Sequence, residues 1–198
     1  MKSPLVSDVE RHLDDLAETA ARSARELSGR VAEVAEMVLH TLDGGGKLFF
    51  CGNGGSAADA QHLATEYVVR FRHNRRPLPA IALTTDTSLL TAASNDYGFE
   101  HVFARQIRAL ARSGDVVFLH STSGRSPNLL EAARAARDVD ARTVALLAGD
   151  GGPLRELVDV AIVVPTTEGA HAQELHLAIG HAICDIVERR LAGLGTAG

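Results

Sequence analysis

DVVFLHSTSGRSPNLLEAARAAR, Asp115 to Arg137, is the stretch that decides how this chain folds. It starts as a short, almost wholly apolar run, passes through hydroxylated residues and a glycine, and continues with leucine and alanine at helical spacing. An apolar run of strand length without polar alternation suits a strand covered on both faces, as in the interior of a parallel sheet. Four more such runs follow the same rule: KLFFCG (47–52), PAIAL (79–83), RTVALLAG (142–149) and DVAIVVP (159–165). Helical patterns lie between or after them, at 57–71, 99–112, 127–138 and 170–191. This alternation builds βαβ units, so the sequence predicts a doubly wound α/β domain on a five-stranded parallel sheet flanked by helices.

Ahead of the first strand, Val9, Leu13, Leu16 and Ala20 recur at helical spacing, and so do Val31, Val34, Val38 and Leu42. They predict two amphipathic helices, the second ended by DGGG at 43–46. No linker, repeat or low-complexity stretch divides the chain. The expectation is one domain over 1–198, with an N-terminal helical segment at 1–44 and an α/β core at 45–192.

The composition narrows the function classes. The chain has 198 residues, 45% hydrophobic and 23% charged, an ordinary balance for a globular domain. Its formal charge of -5 argues against a general nucleic-acid surface but allows one small phosphorylated ligand, which needs only local donors. Cys51 and Cys184 lack metal-ligand spacing and read as buried apolar residues in a reducing compartment. The acidic N-terminus has no apolar core of a signal peptide, and no run reaches membrane-spanning length, so a cytoplasmic protein without a membrane partner is expected.

In an open α/β sheet the ligand sits beyond the carboxyl ends of the strands, near the switch in strand order. Three polar loops qualify. After the apolar run at 115–120, Ser121, Thr122, Ser123 and Ser126 place four hydroxyls within six residues, and Pro127 opens a helix. Free N–H groups at a helix start and the helix dipole attract anions. A cap accounts for one hydroxyl, not four, so the loop reads as a phosphate cradle. The loop after Cys51 has the same construction, with Asn53, Gly54, Gly55 and Ser56 leading into a helix; its glycines permit close backbone approach or positive φ. It lacks the third glycine of a dinucleotide fingerprint. The loop after Leu83, TTDTSLLTAASNDYG, carries Ser88, Asn95 and Asp96, for which spacing favours capping and ligand contact equally.

His62 and Glu66 are four residues apart and share a helix face. Alone, such a pair is an ordinary weak surface ion pair. The last helix adds Gln173 and His181, eight residues apart and about 80° apart around the helix, at about 100° per residue. Together these four offer two nitrogens and two oxygens, a set acceptable to Zn²⁺ or a similar divalent ion. Periodicity does not show whether the two helices meet.

Over almost its whole length, to about Glu188, the chain resembles the phosphoheptose isomerases of the sugar isomerase (SIS) fold family. The resemblance rests on CGNGGSAADAQHLATE (51–66), LPAIALTTDTSLLTAASNDYGFEHVFARQI (78–107), the stretch quoted first, and HAQELHLAIGHAICDIVE (171–188). It implies a SIS domain with flavodoxin-like strand order and N-terminal helices used in assembling a homotetramer, with sites at subunit interfaces. It implies substrate contacts from Asn53, Gly54, Gly55, Ser56, Glu66, Arg70, Asn95, Asp96, Ser121, Thr122, Ser123, Ser126 and Gln173, although VVRFRHNRR around Arg70 reads equally as a solvated basic face. It implies one Zn²⁺ or similar divalent ion per subunit on His62, Glu66, Gln173 and His181. Ala170 stands where well-known members carry an aspartate.

The implied reaction is aldose–ketose isomerisation of sedoheptulose 7-phosphate to D-glycero-D-manno-heptose 7-phosphate through an enediol(ate), the first step of ADP- or GDP-heptose biosynthesis. Glu66 and His181 are the expected acid/base pair. The alternative is a non-catalytic SIS protein that binds the replication initiator DnaA; a relative of that kind lacks the acid/base set at positions matching Glu66 and His181, both present here.

Overall fold

The computed structural model describes residues 3–193. Strands β1 (Leu48–Gly52), β2 (Ala80–Ala82), β3 (Val116–His120), β4 (Arg142–Ala148) and β5 (Val160–Val164) form one all-parallel sheet in the order β2-β1-β3-β4-β5. All five apolar runs become strands, and every residue of β1 and β3 is buried, as runs without alternation require. The edge strand β2 is short and partly exposed.

Helices cover both faces. On one lie α1 (Pro4–Asp43), α2 (Gly55–Val68) and α6 (Gly169–Leu191), packed through Val38, Leu63, Ile183 and Val187 onto Phe50, Phe118 and Ile162. On the other lie α3 (Thr87–Tyr97), α4 (Val102–Leu110) and α5 (Pro127–Asp138), packed through Phe103, Ile107 and Leu129 onto Phe49, Val117 and Leu119. From β1 the chain crosses to β2 on one side and then returns to β3 on the other. The loops after β1 and β3 therefore part at the switch point and leave a crevice at the carboxyl edge. Among the described residues, no helix is long and apolar enough to cross a membrane.

Two expectations change. The N-terminal segment is one helix of 40 residues, not two. Nothing between Ala20 and Val31 stops it: there is no proline, the Ser23 hydroxyl donates back to the Thr19 carbonyl at 2.8 Å, and Gly29 has open space where a side chain would project. A lone glycine costs about 1 kcal/mol against alanine, too little to break a helix anchored by Val34, Val38 and Leu42. The polar segment after Leu83 contains the helix α3, capped by the Asp86 carboxylate accepting from the Leu89 N–H at 2.9 Å.

Candidate active site

In the loop after β3 the hydroxyls divide their tasks. Ser121 Oγ accepts from the Gly124 N–H at 3.0 Å, and Ser123 Oγ accepts from the Arg125 N–H at 3.3 Å. Each hydroxyl that accepts in this way keeps its own O–H to donate to an anion. Ser126 stands at the N-cap of α5 but its hydroxyl makes no capping bond. Thr122 is half-buried, and its carbonyl accepts from the Ala148 N–H, fixing the loop to the end of β4. Gly124 sits at φ 62°, against the Gly151 carbonyl, where a side chain fits neither the backbone nor the space.

The loop after β1 is joined to this cradle by a residue that sequence reasoning missed. Asn128, in the first turn of α5 and 1% exposed, exchanges two amide hydrogen bonds with Asn53, at 2.9 and 2.8 Å. Asn53 thus links the two loops. Gly54 turns the chain at φ 57°, Gly55 is exposed, and Ser56 is buried. The carboxamide of Gln173 rests against Gly55, whose missing Cβ would lie 2.5 Å from Gln173 Oε1. Asn95 and Asp96 lie exposed in the last turn of α3, with Asn95 Nδ2 donating to Asp96 Oδ1 at 2.8 Å. Arg70 is exposed just past the end of α2.

The two helices that periodicity could not join do meet. Gly180 lies against Leu63, since a Cβ there would be 2.6 Å from both Leu63 methyls. With Gly55 against Gln173 and Leu63 against Gly180, α2 and α6 run side by side in the same direction. This register sets His62 beside His181, with their Nε2 atoms 2.8 Å apart, while Glu66 Oε1 is 3.3 Å from His62 Nε2. One ligand atom from each of the three lies within 4.8 Å of the others. Two imidazoles and a carboxylate fit Zn²⁺ or a similar ion on chemical grounds. Gln173, at Gly55, stands about 10 Å up the helix pair from His62, at 1.5 Å rise per residue. Burial, then the neighbouring His62, lowers the His181 pKa, while Glu66 opposes the shift and Arg72 adds to it, which favours a neutral imidazole. Asp59, one turn before His62, has its pKa raised by burial and lowered by His62.

Behind this trio is a second feature absent from the sequence reading. Glu188 of α6, 1% exposed, accepts from the backbone N–H groups of Phe71 at 3.0 Å, Arg72 at 2.7 Å and His73 at 2.8 Å. It also pairs with Arg75 at 3.2 Å, and Arg75 donates to the carbonyls of Glu66 at 2.6 Å and Tyr67 at 2.8 Å, closing the C-terminus of α2. VVRFRHNRR is therefore not a uniformly solvated basic face: the Arg75 side chain is 6% exposed. The anchored Phe71 stacks on His181 with ring centroids 5.3 Å apart.

A family model described as SIS domain matches residues 11–148, which defines the class: a SIS domain with its hydroxyl-rich cradle at the switch point. The phosphoheptose isomerase of Geobacter sulfurreducens is 50% identical over 187 residues, 94% of this chain and 99% of that protein. That of Geobacter metallireducens is 54% identical over 167 residues, 84% and 88% of the two chains. Among solved structures, a phosphoheptose isomerase from Neisseria gonorrhoeae has a TM-score of 0.87 at 43% identity, covering 92% of this chain and 98% of that one. One from Francisella tularensis has a TM-score of 0.91 at 35% identity, covering 94% and 100%. The chain belongs to the phosphoheptose isomerase family.

Proposed function

We propose that this chain interconverts sedoheptulose 7-phosphate and D-glycero-D-manno-heptose 7-phosphate, the ketose and aldose joined by one enediol(ate). The observation that carries the reading is the convergence of His62, Glu66 and His181 on two adjacent helices whose N-terminal ends border the phosphate cradle. The names of its relatives favour catalysis over the non-catalytic, DnaA-binding alternative.

The Ser121–Ser126 loop holds the phosphate through hydroxyls and the start of α5. Asn53, Asn95, Asp96 and Gln173 face sugar hydroxyls, with Arg70 at the rim. Isomerisation needs a base at C1, a proton donor at oxygen, and stabilisation of the developing negative charge. Glu66 and His181 project from different helices into one space, so one takes the proton leaving C1 while the other serves oxygen, and a proton returns at C2. His62, Glu66 and His181 would hold one Zn²⁺ or similar ion per subunit, supplying a Lewis acid to the sugar carbonyl when bound. Gln173, the fourth expected ligand, rests against Gly55 at the far end of the helix pair, on the sugar-binding side. Leu5, Val9 and Leu13 expose an apolar stripe on α1, which supports homotetramer assembly with sites completed between subunits. A single domain acting in the cytoplasm completes the reading.

The test is turnover of sedoheptulose 7-phosphate by the purified chain, before and after chelation. Glu66→Gln and His181→Gln should each lower kcat by about 10²–10⁴-fold with the circular dichroism spectrum unchanged. Full activity in both variants overturns the roles; no turnover by the unaltered chain, with tight binding to DnaA, overturns the isomerase.

A further inference from the structure

Away from the candidate active site, a second group of metal-ligating side chains converges where the N-terminal half of α1 crosses the start of α6. His12 comes from α1, and His171 and Glu174 from the first turns of α6, three residues apart on one face. We propose that His12, His171 and Glu174 form a second divalent-metal site, of the zinc class, that fastens α1 to α6.

The geometry is that of a ligand set. His12 Nδ1 and His171 Nε2 are 3.3 Å apart, and one ligand atom from each of the three residues lies within 4.8 Å of the others. Two nitrogens bound at 2.0–2.1 Å to a tetrahedral ion stand about 3.3–3.4 Å from each other. The rings are tilted by 54° with centroids 4.5 Å apart, so both nitrogens can aim at a common point without the rings lying flat on each other. His171 is buried at 5% exposure, whereas His12 and Glu174 are exposed. One ligand is thus fixed by packing, and the two outer ones can close on an ion from solvent. Both histidines also line a cleft of about 890 Å³ between α1 and the loops after β4 and β5, which leaves room for water or an anion at the remaining position.

Two imidazoles with one carboxylate select zinc-like ions over Mg²⁺ and Ca²⁺, which prefer oxygen ligands alone. The site is separate from the first cluster: seven to ten residues of α6 divide Glu174 and His171 from His181, about 10–15 Å along the helix. Gln173, between the two new ligands in sequence, faces the other way, onto Gly55. An ion at this position would cross-link chain segments 159 residues apart and so stabilise the folded state, because the unfolded chain does not hold the ligands together.

The experiment uses the full chain carrying His62→Ala and His181→Ala, which strips the first cluster of its imidazoles. Titration with Zn²⁺, read by calorimetry and by metal content after dialysis, should give about one bound equivalent and a zinc-dependent rise in Tm. Mg²⁺ should give neither. Adding His12→Ala and His171→Ala should remove both signals, so that the Tm of that chain is the same in zinc as in chelator. If that chain fails to fold, Glu174→Gln, an exposed change, should weaken zinc binding about tenfold or more. Zinc stoichiometry and Tm response that persist without His12 and His171, or that are absent with them, overturn the proposal. None of these readouts depends on turnover, so an active isomerase without the second equivalent sinks this proposal alone, and an inactive chain that binds it sinks only the isomerase.

Discussion

Substituting Glu188 by glutamine changes one atom in a buried clamp, and its cost follows from the geometry. The carboxylate is 1% exposed and serves three backbone N–H donors and Arg75, whose own side chain is 6% exposed. A carboxamide keeps one acceptor oxygen and turns the other into a donor facing donors. Arg75 then remains buried without its counter-charge. Breaking a buried pair from one side costs about 3–5 kcal/mol. For a chain of this size that corresponds to a Tm lower by about 6–20 °C, at about 2–4 °C per kcal/mol. The comparison is Asp138→Asn, which removes the Arg108–Asp138 pair at 2.9 Å with side chains 46% and 57% exposed, and should cost about 0–1 kcal/mol. The two are measured by urea unfolding, with hydrogen exchange at the amides of Phe71, Arg72 and His73, which should speed up in Glu188→Gln alone. Acid adds a second reading. Burial raises the Glu188 pKa, but three amides and Arg75 outweigh it and bring it below the ordinary carboxylate value. The unfolded chain therefore takes up this proton first as pH falls, so the stability Glu188 supplies is present at neutral pH and lost as pH drops through its lowered folded value. Glu188→Gln should lack that acid-side loss. A cost below about 1 kcal/mol, matching Asp138→Asn, would refute the idea that this carboxylate anchors the segment after α2.

Two further perturbations probe the carboxyl edge of the sheet. His120, fully buried at the end of β3, has no partner for either ring nitrogen among the described residues, and burial, then His176, lowers its pKa to about 3. The fold holds it neutral while the unfolded chain protonates it near 6.5, so stability should fall by about 1.4 kcal/mol per pH unit as pH drops from about 6.5 towards 3. His120→Leu should remove that share of the slope in urea melts across pH; an unchanged slope refutes the assignment. Asn128→Ala leaves the Asn53 amide unpaired, costing about 1–3 kcal/mol, and should raise KM for the sugar phosphate more than it lowers kcat, because it frees the two loops from each other. Steady-state kinetics with an unchanged KM would count against it.

The sheet was legible because its central strands are buried on both faces: β1 reads as an unbroken apolar run, and β3 and β4 are apolar except for His120 at the end of β3 and Arg142 and Thr143 at the start of β4. Helix α3 was hidden by its serines, threonines and asparagine, residues that also make turns, although the Asp86 cap three residues before Leu89 was in plain view. His62 and Glu66 were readable as a pair. Their approach to His181 depends on Gly180 yielding to Leu63 across 117 positions, which no local pattern encodes. The same limit hid Asn128, whose partner is 75 residues away, and Glu188, which looks like a solvated acid at the end of an amphipathic helix until the chain after α2 folds back onto it.

The unbroken α1 has a consequence of phase. At 1.5 Å rise and about 100° of turn per residue, its 40 residues make a rod of about 60 Å, far longer than the strands it lies across. Its C-terminal third is locked into the core by Val34, Val38 and Leu42, so the azimuth of everything upstream is already decided there. His12 meets His171 only because 22 residues of helix separate it from Val34. One residue more or fewer in that interval would swing the distal ring about 100° away from α6, and with it whichever of Leu16, Ala20, Leu27 and Val31 lie upstream of the change and pack against the core. In this molecule the length of the helix upstream of its anchor carries information alongside the apolar residues that seat it.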